Sequence, residues 1–117
     1  MTLFDTHAHY DDEAFDADRD AVLAAFDGLV IDPGCTLASS QAAVDLAARH
    51  PHVYAAVGIH PENCGDFVSE HMDALRQLAR EPKVVAIGEI GLDYYWPENP
   101  PRDFQQQVFR AQLELAL

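Results

Sequence analysis

Four times the chain runs through the same unit: a short β-branched or apolar stretch, a loop, then an Ala/Leu-rich stretch with helical spacing. The pattern predicts strands over 3–7, 29–32, 53–59 and 83–89, so strand starts recur about every 25 to 30 residues. That is the length of a βαβ crossover, and strands alternating with helices make a parallel sheet. The first helix is expected over 16–26, with Val22, Leu23 and Phe26 on one face. Thr36 can cap a second running to about Arg49, and Ser69 a third whose stripe is Met72, Leu75, Leu78 and Ala79, stopped by Pro82. A fourth is expected from Arg102, with Phe104, Val108, Phe109, Leu113 and Leu117 as its apolar residues.

A parallel sheet of this kind is either open and doubly wound or closed into a barrel. No glycine-rich phosphate loop follows the first strand; histidines do. That favours the barrel, where chemistry sits at the C-terminal ends of the strands. Eight such units need about 250 residues, and this chain supplies four in 117. Residues 111–117 read as mid-helix, with no Gly, Asn or Pro stop. The expectation is an α/β fold, TIM-barrel-like, in which residues 1–117 form the N-terminal half of one truncated domain. A half-barrel exposes two strand edges and an inner apolar face, so self-association through those edges is expected.

Composition narrows the chemistry. Seven basic residues stand against twenty acidic ones, a net charge of −13, and 5–32 alone holds nine Asp or Glu against Arg19. That is no nucleic-acid footprint, and a phosphate substrate would need local positive charge, most simply from bound metal; solubility or salt adaptation explains the charge as well. No stretch approaches the ~18 apolar residues of a membrane span, and the N-terminus lacks a signal peptide's pattern, so a cytoplasmic location with no membrane partner is expected. Cys35 and Cys64 lack the count and spacing of a disulfide framework and read as free thiols.

The strongest local signal is Asp5-Thr6-His7-Ala8-His9. In an extended strand, residues i and i+2 leave one face about 6–7 Å apart, so two imidazoles can converge on one ion at ~2.0–2.1 Å. Asp5 shares that face and could accept a ring N–H or reach the metal. At the end of the fourth strand, Glu89 lies between Gly88 and Gly91, and its two oxygens suit it to bridge two metals. Asp93 either positions water or substrate or caps the turn. Tyr94, Tyr95 and Trp96 either form a wall on which a base stacks or pack beneath a loop. His60, at the end of the third strand, looks across the same mouth and is a candidate phosphate contact or proton donor. Cys64 falls near that mouth, with no base beside it. His50, His52 and His71 receive no function; His71 is expected to face solvent.

Taken together, 5–10 (Asp-Thr-His-Ala-His-Tyr), 58–61 (Gly-Ile-His-Pro), 88–95 (Gly-Glu-Ile-Gly-Leu-Asp-Tyr-Tyr) and the glutamine-rich helix over 105–116 resemble the TatD family of metal-dependent deoxyribonucleases. The likeness runs from about residue 3 to the last, in family order and spacing. It implies a TIM-like barrel with two divalent ions (Mg, Mn or Zn), in which His7 and His9 match ligands of one ion and Glu89 matches the bridge. It also implies hydrolysis of DNA phosphodiesters, in some members from 3′ to 5′, with the DNA partner held through a phosphate on the metal. His60, Asp93 and Tyr94 fall on motifs near the substrate mouth, and Glu89 and His60 are the expected catalytic groups. The family's later ligands, two histidines and an aspartate on strands five, six and eight, have no counterpart among these residues. At most one weakly held ion and no activity are expected of this fragment alone. Two other readings stand beside this one: a related barrel acting on a small ester or amide, and a non-catalytic half-barrel that pairs with a partner or with itself.

Overall fold

The structure, a computed structural model, describes residues 2–117. Its strands are β1 (Leu3–Asp5), β2 (Gly28–Pro33), β3 (Val53–Val57) and β4 (Val84–Ile87). Between and after them come α1 (Arg19–Ala25), α2 (Leu37–Arg49), α3 (Ser69–Leu78) and α4 (Arg102–Ala116), with short 3₁₀ turns at Glu13–Phe15 and Pro61–Asp66. All strand pairs are parallel, and their order across the sheet is β1-β2-β3-β4. A doubly wound sheet reverses its strand order at a switch point; sequential order is the wall of a barrel. Among the described residues, no helix is long and apolar enough to cross a membrane.

The core lies between the sheet and the helices. Val30 of β2, Val53, Ala55 and Val57 of β3, and Leu46 and Leu75 of the outer helices are all buried. Apolar side chains on both flanking strands stay open instead, with Leu3, Phe4 and Val85 each about half exposed.

Local chemistry sets the element ends. Thr36 Oγ1 accepts the Ser39 N–H at 3.0 Å while Ser39 Oγ accepts the Thr36 N–H at 2.9 Å, a reciprocal cap that starts α2 where the sequence places it. Lys83 closes the other end, its ammonium donating to the carbonyls of Ala47 and His50. The first helix is shorter than expected and begins at Arg19. Residues 16–18 are held as turns instead, the Asp16 N–H donating to Glu13 O at 3.0 Å and the Asp18 N–H to Phe15 O at 3.1 Å, while the Arg19 guanidinium donates to the main-chain oxygens of Tyr10, Asp11 and Asp12.

Three further expectations need correction. Ser69 is the first residue of α3 rather than its cap. His71 is half-buried, not solvent-facing, because its Nδ1 accepts the Val68 N–H at 3.3 Å and its ring meets Phe67 edge-on. On α4 the buried residues are Gln105, Val108 and Gln112, whereas Leu113 and Leu117 are exposed.

Candidate metal centre

β1 leaves the sheet at Asp5, so His7 and His9 stand in the loop beyond it and not on the strand itself. Asp5 causes the departure: its Oδ1 accepts the main-chain N–H of His7 at 3.1 Å and turns the chain, and this bond replaces the expected one to a histidine ring. The Ala8 N–H then donates to Ile31 O at 3.1 Å, which keeps the loop against the end of β2.

Glu89 arrives from β4. The Gly88 N–H donates to Val57 O at 2.9 Å and the Glu89 N–H to Gly34 O at 2.7 Å, so this loop lies across the ends of β3 and β2. Close approach depends on missing side chains. A Cβ on Gly58 would stand 2.8 Å from the Gly88 carbonyl carbon and 3.0 Å from Glu89 O, and one on Gly34 would collide with Ser40. Gly58→Ala is therefore expected to destabilise the fold by about 1–3 kcal/mol, the usual effect of overpacking; urea denaturation measures it, and an unchanged midpoint would refute the packing argument.

These two loops bring three ligand residues together, with four donor atoms between them. His7 Nε2 lies 3.1 Å from His9 Nε2 and 3.4 Å from Glu89 Oε1, and His9 Nε2 lies 3.4 Å from Glu89 Oε2. Four-coordinate zinc with bonds of ~2.0–2.1 Å at tetrahedral angles has ligand–ligand edges of roughly 3.3–3.4 Å. Donor chemistry and spacing both fit a divalent ion. The site is open to solvent, with the side chains of His7, His9 and Glu89 54%, 39% and 25% exposed.

Two neighbours have no part in the site as the sequence reads it: Cys35, expected as a free thiol and found as one, and Asp32. The Cys35 thiol donates to Glu89 Oε2 at 2.9 Å, and burial, together with that contact, pushes its pKa up to about 12, so it stays un-ionised at neutral pH. Asp32, the last acidic residue of β2, is fully buried, and its Oδ2 accepts the Asp11 N–H at 2.9 Å. Burial first, and the adjoining Asp11 carboxyl second, push its pKa up to about 8. A raised carboxyl favours the protonated folded state, so this stability is full below about pH 4 and is lost as pH rises through about 8. In chelator, the chain is expected to weaken over that range and Asp32→Asn to flatten the slope; urea midpoints at pH 5 and 8 check it, and parallel slopes would refute it.

The remaining candidates divide. His60 is half-buried beside the site: its N–H donates to Cys35 O at 2.9 Å and its Nδ1 accepts the Glu62 N–H at 3.1 Å, capping the second 3₁₀ turn. Its ring is not brought into the cluster of His7, His9 and Glu89. Asp93 caps the turn, Oδ1 accepting the Tyr95 N–H at 2.9 Å. Tyr94, Tyr95 and Trp96 are exposed rather than packed beneath a loop, and the Arg102 guanidinium lies 4.4 Å from the centre of the Tyr94 ring. Cys64 is buried in the core and not at the mouth. His50 pairs with Asp20 at 2.8 Å, and His52 Nε2 meets Leu23 O at the same distance.

Beyond the strands the loops lose their ladder partners, and buried polar side chains supply substitutes. Ser40 Oγ donates to Gly58 O and accepts its N–H, at 3.1 and 3.0 Å. Gln112 does the same for Ile59, accepting its N–H at 2.7 Å and donating to its oxygen at 3.1 Å. Gln105 accepts the Asp93 N–H at 2.9 Å and donates to Asp93 O at 3.0 Å and Pro100 O at 2.8 Å.

Comparison with known proteins settles the family. The family model described as TatD related DNase matches residues 4–117. The chain belongs to the TatD family. It is 36% identical, over 97% of its own length, to a protein described as uncharacterized metal-dependent hydrolase YabD of Bacillus subtilis, and covers 46% of that protein. With the 3′-5′ ssDNA/RNA exonuclease TatD of Salmonella typhimurium it shares 37% identity, covering 97% of this chain and 45% of the relative. The crystal structure of YJJV, a TatD homologue from Escherichia coli K12, superposes with a TM-score of 0.87 at 34% identity, over 97% of this chain and 46% of that one. The chain thus spans a little under half the length of the TatD relatives it matches. Its four βα units form part of a TIM-like barrel.

Proposed function

We propose that this TatD chain supplies one corner of a two-ion phosphodiesterase site acting from the 3′ end of single-stranded nucleic acid, DNA foremost. The observation that carries the reading is the cluster of His7, His9 and Glu89, in which each residue has a donor atom 3.1–3.4 Å from a donor atom of each of the other two. The substrate class rests on relatives named 3′-5′ ssDNA/RNA exonuclease TatD. A divalent ion bound there would supply Lewis acidity, activating water and offsetting charge on the phosphate oxygens.

The chain's own residues hold and orient. His7 and His9 present ring nitrogens, and Glu89 turns one oxygen toward each, so that the three residues can close on one ion; the part of a bridge to a second ion rests on the family motif that Glu89 matches. With Nδ1 accepting from Glu62, neutral His60 carries its proton on Nε2, where it can donate to a phosphate oxygen. The Asp93 cap holds the turn that presents Tyr94 for stacking against a base. At a net charge of −13, the protein attracts phosphate only through what the site binds.

Three ligands hold at most one ion, with a second resting on Glu89 alone, so residues 1–117 by themselves are expected to bind metal without turnover. The exposed flanks of β1 and β4 pair with a second half or a second copy, which gel filtration reads. Calorimetry with Zn²⁺ on the chelator-stripped chain is expected to give one equivalent, lost in Glu89→Ala. Labelled single-stranded DNA with Mg²⁺, Mn²⁺ or Zn²⁺ is expected to stay intact. Absence of zinc binding would overturn the site, and ordinary nuclease turnover would overturn the inactivity.

A further inference from the structure

On the other edge of the His9 ring the chain buries an acidic pair that the first cluster does not use. Asp32 is fully buried and the Asp11 side chain is only 12% exposed. Asp32 Oδ2 takes the Asp11 N–H, yet Oδ1 of Asp32 and Oδ1 of Asp11 are buried with no hydrogen-bond partner among the described residues. No lysine or arginine reaches either carboxylate among the described residues; Arg19 spends its donors on main-chain oxygens and on Asp16. Buried carboxyl oxygens need a proton or a cation to offset their charge; a divalent ion held between the two groups would take the place of the proton that Asp32 otherwise keeps. One donor atom each from His9, Asp11 and Asp32 lie within 4.8 Å of one another.

We propose that Asp11 and Asp32 form a second cation site, taking a hard divalent ion such as Ca²⁺ or Mn²⁺ through carboxylate oxygens and separated from the first cluster by the His9 ring. Two carboxylates balance one divalent charge, and the two orphaned oxygens are the donors. A neutral imidazole offers one lone pair. While His9 Nε2 faces His7 and Glu89, Nδ1 carries hydrogen and points toward Asp11 Oδ1, 3.8 Å away. The two sites therefore differ in chemistry: nitrogen-rich donors suit zinc, and an oxygen-only pair suits calcium or manganese.

The test is a Ca²⁺ titration by calorimetry on the chelator-stripped 117-residue chain, repeated with saturating Zn²⁺ present. One Ca²⁺ per chain is expected, kept in Zn²⁺ and in Glu89→Gln, and weakened at least tenfold in both Asp32→Asn and Asp11→Asn. No saturable Ca²⁺ binding overturns the proposal, and so does binding that survives both asparagine variants or vanishes with Zn²⁺. Should one variant fail to fold, the other variant together with the Zn²⁺ competition on the native chain decides the matter. The Zn²⁺ arm also reads the first cluster independently, so failure of the acidic pair leaves the nuclease reading standing.

Discussion

A chain carrying His7→Ala and His9→Ala together is expected to bind Zn²⁺ at least about 100-fold more weakly than the native chain. Altering groups that merely support a ligand lowers metal affinity by about 10–100-fold, and this variant removes two of the three donors themselves. Only the Glu89 carboxylate would remain, already occupied on one oxygen by the Cys35 thiol. Competition against a chromophoric chelator measures the loss, and a change below tenfold would show that the ion sits elsewhere. Both rings are substantially open to solvent, so stability in chelator is expected to stay within about 0.5 kcal/mol of native. That control separates ligand loss from unfolding.

Gln112→Leu is the second large effect, and it falls on stability. The leucine keeps the bulk but leaves both the N–H and the oxygen of Ile59 without partners, in a residue only 5% exposed. Each buried group left unsatisfied costs about 1–3 kcal/mol, so a loss of about 2–4 kcal/mol is expected in urea denaturation. Domains of this size have only about 5–15 kcal/mol in all. Gln106→Leu provides the comparison. Among the described residues its amide meets only the exposed Tyr94 hydroxyl, at 2.9 Å, and a change within about 0.5 kcal/mol is expected. Equal losses in the two variants would refute the argument from buried satisfaction.

What the sequence reveals and what it hides follow from the range of each signal. The four βα units, the Thr36 cap and the start of α4 at Arg102 are legible because periodicity and capping act within a few residues. The histidine pair is legible as a motif, yet its departure from the strand depends on a side-chain bond from Asp5 that alternation alone does not announce. Asp32 had a signal: like Glu89, it stands at a strand end just before a glycine-containing turn. Cys35 had none, since its partner Glu89 is 54 residues away. The glutamines point the other way. The apolar pattern puts Leu113 among the core candidates and gives no reading for Gln112; the backbone of a distant loop, which needs a partner, is what buries Gln112 while Leu113 stays exposed.

The two glutamines sit seven residues apart on α4 and hold loops that leave different strands. An amide shielded by such a bond exchanges its hydrogen only when the shielding element swings away. The Ile59 and Asp93 amides are therefore expected to exchange at the same rate, set by one opening of α4, although 34 residues separate them in the chain. The ground below His60 and the turn bearing Tyr94 would then loosen and re-form as one cooperative unit. Motion at one side of the mouth would be felt at the other without any contact between the loops themselves.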